Sequence, residues 1–89
     1  MALIYLIEDD DSIREIEEFA LMNAGHKVLG VTCAKDFYKE LEDVVPDLCL
    51  VDTMLPDENG NEIVRKLRKS TETAKLPVIM VSLDRKSGS

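Results

Sequence analysis

The sequence predicts an α/β domain, a parallel sheet with helices on both faces, and three observations predict it. Continuous apolar runs at 3–7, 48–51 and 78–81 lack the polar alternation of a sheet with one wet face, so each reads as a strand buried on both sides. Segments with apolar residues at helical spacing separate the runs. The resulting order is strand, helix, strand, helix, strand, helix, strand, and such alternation calls for right-handed crossovers between parallel strands.

The first strand, 3–7, ends in the acids Glu8, Asp9, Asp10 and Asp11. Ser12 and Glu15 then have capping-box spacing, with a hydroxyl and a carboxylate to satisfy backbone donors at a helix start. Asp10 and Asp11 read as helix-start charges favoured by the dipole. The helix is expected over 12–24, with Ile13, Ile16, Phe19 and Ala20 on one stripe and Gly25 as its stop. His26, facing solvent, leads into a short second strand at 27–31, and Thr32 is placed to cap the next helix. In that helix Phe37, Leu41 and Val44 recur at helical spacing, and Pro46 ends it. The third strand, 48–51, runs into Asp52 and a loop closed by Pro56 and Asn59-Gly60, where Glu58 and Asn59 read as turn chemistry. Ile63, Val64 and Leu67 mark a helix over 61–69 whose basic last turn suits the negative end of the dipole. Pro77 introduces the fourth strand, 78–81, which Ser82 ends. Met54 and Met80 read first as loop and core fillers.

At 89 residues the chain is one small domain. Its 18 acidic and 11 basic residues give a net charge of -7, which argues against gripping nucleic acid or an anionic membrane through a basic surface. Cys33 and Cys49 have neither CxxC spacing nor the neighbours of a zinc site, and read as reduced, buried small hydrophobes. The apolar N-terminus has no basic lead, and no run approaches the ~20 apolar residues of a membrane span. A cytoplasmic protein is therefore expected, with a domain at 1–86 and a linker or tail at 87–89. Walker, GxGxxG and Ser-His-Asp patterns do not occur.

The chemistry gathers at the strand exits. Glu8 and Asp9 follow the first strand, Asp52 the third and Ser82 the fourth. If strands one and three are neighbours, about 4.8 Å apart, the three carboxylates converge where ligands bind in open α/β sheets. Anions that close repel one another, and a divalent cation relieves the repulsion. Oxygen-only ligands select Mg²⁺ or Ca²⁺; a few carboxylates with waters and room for a phosphoryl oxygen are the usual Mg²⁺ arrangement. Asp52 is also a competent nucleophile toward phosphorus, because carboxylates form acyl phosphates.

Ile7-Glu8-Asp9-Asp10, 48–52 followed by Met54-Leu55-Pro56 and Gly60, and 77–82 together resemble the receiver domain of two-component response regulators. The resemblance covers nearly the whole chain in the right order. It implies a flavodoxin-like, doubly wound sheet of strand order 2-1-3-4, in which Asp52 accepts a phosphoryl group from a histidine kinase. It further implies that Glu8 and Asp9 form the acidic pair that holds Mg²⁺. Asp9 and Asp52 would be direct ligands, and Met54 would add its backbone carbonyl. Ser82 resembles the hydroxyl switch residue, and the side chains of Met54 and Asp84 match positions that tune hydrolysis of the phosphoryl group. Such a domain is not an enzyme in its own right, although it can shed its own phosphate. Its output is commonly transcriptional.

The chain departs from the pattern in three ways. Receivers have a fourth helix, a fifth strand and a fifth helix beyond this point, and with the fifth strand goes a lysine that Arg85 and Lys86 stand too near the fourth strand to replace. Leu83 is bulky where the family has a very small residue, and Ser82 stands where threonine is commoner. Without a fifth strand, the fourth is a bare edge and the first helix loses part of its cover, so a homo-oligomer, edge-paired or swapped, is expected, or a poorly stable fragment. Two other functions compete. One is a receiver-like interaction module that is never phosphorylated. The other is a Mg²⁺-dependent phosphatase of the haloacid dehalogenase type, which wants a second Asp where Met54 stands.

Overall fold

The structure, a computed structural model, describes residues 1–53 and 55–81. The expectations attached to Met54, Ser82, Leu83 and Asp84, and the boundary after residue 86, lie outside the described residues. Among the described residues, seven elements follow in the expected order: β1 (Leu3–Ile7), α1 (Asp11–Asn23), β2 (Lys27–Val31), α2 (Ala34–Asp43), β3 (Leu48–Asp52), α3 (Gly60–Lys69) and β4 (Val78–Val81). The strands form one parallel sheet in the order β2-β1-β3-β4. That is the doubly wound, flavodoxin-like arrangement the alternation of elements called for.

The apolar runs do the work expected of strands buried on both sides. Ile4, Tyr5, Leu6 and Ile7 are all buried. Tyr5, Ile7, Cys49 and Val51 point to one face and pack with Ala34 and Phe37 of α2 and Ile63 and Leu67 of α3. Tyr5 and Phe37 meet edge to face at 6.2 Å. The Tyr5 hydroxyl donates to the carbonyl of Val44 at 2.8 Å, tying the end of α2 to the sheet. On the opposite face α1 crosses β1 and β2 with Ile13 buried, and comes so close to β2 that a Cβ at Gly30 would collide with the Glu18 carboxylate.

Several local expectations are corrected. Helix α1 begins one residue earlier, at Asp11, and its cap is Asp10, whose carboxylate accepts from the Ile13 amide at 2.9 Å. The Ser12–Glu15 capping box does not form there. The Glu8 carboxylate accepts the Asp10 amide at 2.9 Å, so the turn out of β1 is already complete when the chain reaches Asp10 and Ser12 lies inside the helix. Gly25, at φ +93°, closes α1 as expected, with the amides of Gly25 and His26 returning to the carbonyls of Met22 and Leu21. His26 is half-buried rather than facing solvent, and its Nδ1 accepts from the Ala2 amide at 3.1 Å. The cap position of α2 is Cys33, not Thr32, and its side chain makes no capping bond; the helix ends before Val44, which is exposed. Helix α3 starts one residue early, at Gly60, with Asn59 as its cap. Cys49 is buried as expected, whereas Cys33 is only half-buried, and both are free thiols.

The expected stripe on α1 is mostly at the surface: Ile16, Phe19 and Met22 are 60%, 66% and 54% exposed. Because α1 lies over β1 and β2, it does not cover β4, and Ile79 on β4 is 51% exposed. Among the described residues, no helix is long and apolar enough to cross a membrane.

Candidate functional site

Parallel register brings the acids together. Ile7 of β1 stands level with Val51 of β3, so Glu8 and Asp52 leave adjoining strands at the same height, and Asp9 follows one residue on. One carboxylate oxygen from each of Glu8, Asp9 and Asp52 lies within 4.8 Å of the others, with Glu8 and Asp52 buried and Asp9 exposed. At an effective dielectric near 20, like charges at that separation repel by on the order of 3 kcal/mol per pair. A divalent cation among them turns that repulsion into attraction, and an all-oxygen donor set with one exposed member suits a hard cation that keeps some of its waters.

The surrounding backbone is held from several sides. The Glu8 amide extends the ladder to the Val31 carbonyl at 3.0 Å, while Arg14 donates to the Glu8 carbonyl at 3.0 Å and pairs with Asp11 at 2.6 Å. Beyond Asp52 the Thr53 amide bonds the Val81 carbonyl at 3.1 Å, and the Gly60 amide returns to the Thr53 carbonyl at 3.3 Å. A Cβ at Gly60 would stand 2.9 Å from the Asp52 carbonyl oxygen and 2.7 Å from Met80 Cε, so glycine is what lets α3 begin against the end of β3.

Three acidic and amide side chains fix residues 57–59. The Asp57 carboxylate accepts the amides of Ala34 and Lys35 at 3.0 Å each. These bonds hold the carboxyl below its ordinary pKa, the Ala34 amide foremost. Glu58 accepts the Tyr38 hydroxyl at 2.9 Å and pairs with Lys66 at 3.1 Å, and burial followed by the Glu58 bond pushes the Tyr38 pKa well up. Asn59 accepts the Asn61 amide at 2.8 Å. Of the residues singled out in the sequence, Glu8, Asp9 and Asp52 come together; Met54, Ser82 and Asp84 lie outside the described residues. Asp57 went unremarked and Glu58 passed for turn chemistry. The α2 groups they accept from are 20 or more positions away, so no local pattern announces them.

The family model of the response regulator receiver domain matches residues 4–88. The chain belongs to that family. Among curated relatives, this receiver is 39% identical over 82 residues to the transcriptional regulatory protein AfsQ1 of Streptomyces coelicolor, covering 92% of this chain and 35% of the relative. It is 38% identical over 79 residues to the transcriptional regulatory protein GltR of Pseudomonas aeruginosa, covering 89% and 33%. The chain thus spans about a third of the length of these relatives. Among solved structures, the phosphorylated cyanobacterial phytochrome response regulator RcpA superposes with a TM-score of 0.83 at 26% identity, covering 91% of this chain and 64% of that one.

Proposed function

We propose that this receiver is a phosphoacceptor, in which a carboxylate oxygen of Asp52 attacks the phosphorus of a phosphohistidine on a histidine kinase. The N–P bond breaks, an O–P bond forms, and the released imidazole nitrogen takes up a proton. The observation that carries the reading is the convergence of Glu8, Asp9 and Asp52 at two adjoining strand ends, with Asp52 buried at the last position of β3. Asp9, Asp52 and the Met54 carbonyl would hold Mg²⁺, with Glu8 beside them. The bound cation would screen the charge between carboxylate and phosphoryl group. Ser82 would hydrogen-bond the phosphoryl group, and Met54 and Asp84 would set how fast it is lost. Added charge at Asp52 would bias the segment after β4 between two arrangements.

The names of the relatives support a transcriptional output, for which a further domain would be needed. The proposal also has this segment working in the cytoplasm and making no nucleic-acid contact of its own, the latter supported by the net charge of -7. The same proposal includes self-association, for which the exposed apolar residues of α1 and β4 are the support. The test is intact mass after incubation with acetyl phosphate and Mg²⁺, beside Asp52→Asn. A gain of about 80 Da in the parent alone is expected. No gain in the parent, or the same gain in the variant, overturns the proposal.

A further inference from the structure

We propose that Asp57 and Glu58 are positioning residues for the cation site, clamping the loop that follows Asp52 onto two successive turns of α2. The inference rests on reading Glu8, Asp9 and Asp52 as that site. Helix α2 begins without a cap of its own: Cys33 occupies the cap position and makes no side-chain bond there. The Asp57 carboxylate supplies the missing acceptor from another part of the chain, taking the first two helical amides, Ala34 and Lys35, one on each oxygen. Glu58 takes the Tyr38 hydroxyl, and Tyr38 lies four residues after Ala34, on the same side of the helix. Lys66 of α3 closes the junction, paired with Glu58 and lying 5.3 Å from the centre of the Tyr38 ring.

The loop is thereby fixed at Thr53 by β4, at 57 and 58 by α2, and at 59 and 60 by the start of α3. Asp52, the last residue of β3, leads directly into this anchored loop, so the direction of the strand exit that carries its carboxylate depends on the loop's anchors. Outer contacts of this kind typically change metal affinity by 10- to 100-fold when removed. The two carboxylates therefore contribute to the site without touching the cation.

The test is Mg²⁺ affinity by titration calorimetry for the parent, Asp57→Ala, Asp57→Asn, Glu58→Gln and Asp52→Asn, with thermal unfolding recorded in Mg²⁺-free buffer. Tyr5→Phe serves as a control, because it loses a hydrogen bond at the far end of α2 and none in the loop. Asp57→Ala is expected to weaken Mg²⁺ binding about tenfold or more. Asp57→Asn, whose amide oxygen still accepts an N–H, should recover part of that loss, and Tyr5→Phe should bind like the parent. Parental affinity in Asp57→Ala overturns the inference, as does an affinity that falls in step with stability across every variant, Tyr5→Phe included. A parent that binds no Mg²⁺ removes the cation site itself, and the inference with it.

Discussion

Cys49 sits in β3, an inner strand, with no exposed surface, and burial pushes its thiol up to about 12, against a smaller opposing pull from Arg68. The ordinary value is 9.0, so between pH 9 and 12 the unfolded chain gives up this proton while the folded one keeps it. Stability from the buried neutral thiol is complete below the unfolded value and is lost as pH rises toward the folded one, by up to about 1.4 kcal/mol per pH unit. Urea unfolding between pH 8.5 and about 11 should therefore show a steeper loss in the parent than in Cys49→Ala; equal slopes would refute the assignment. The burial of Cys49 was legible from its place in an unbroken apolar run. Glu8, Asp9 and Asp52 were legible for a similar reason, because each stands directly after such a run. Asp57 was not, because its acceptor role is defined by two amides that only the fold brings near.

At the scale of elements, helix ends were the weakest part of the sequence reading. Ser12 with Glu15 and Thr32 both offered capping chemistry, yet Asp10 caps α1 and Asp57 caps α2. In the first case the strand exit decided. The Glu8 carboxylate holds the Asp10 amide and places Asp10 in extended backbone, so the helix starts before the hydroxyl can take part. Asp10→Ala should accordingly lower stability by about 1 kcal/mol, whereas Ser12→Ala should stay within about 0.5 kcal/mol of the parent. Thermal unfolding of both variants decides between the caps, and a larger loss for Ser12→Ala would restore the capping box. Helix interiors were read more securely. Phe37, Ile63 and Leu67 fall on the buried faces that their spacing indicated.

For the whole molecule, the two faces of the sheet are unequally covered. One is filled by α2 and α3. Among the described residues, the other carries α1 over β1 and β2, with Ile16, Phe19, Met22 and Ile79 at the surface. Among the described residues, β4 is bonded on one side only, by β3, and exposed apolar edges favour pairing with another strand. Sedimentation velocity at rising concentration should show mass increasing beyond the monomer, and Ile79→Lys, which places a charge on that edge strand, should shift the equilibrium back. A sharp monomer boundary at every concentration would count against self-association. The proposed phosphoacceptor, Asp52, is in register with Val81, so it lies directly beside β4.

The sequence by itself determined the class of fold, the order of its elements and the acids at the strand exits, because unbroken apolar runs and the residues that terminate them are local features. Tertiary structure decided where helices begin, which face of α1 is covered and how the loop after Asp52 is held. Those outcomes depend on groups far apart in the chain: the Glu8 carboxylate on the Asp10 amide, α1 settled over β1 and β2, and two loop carboxylates on the first turns of α2.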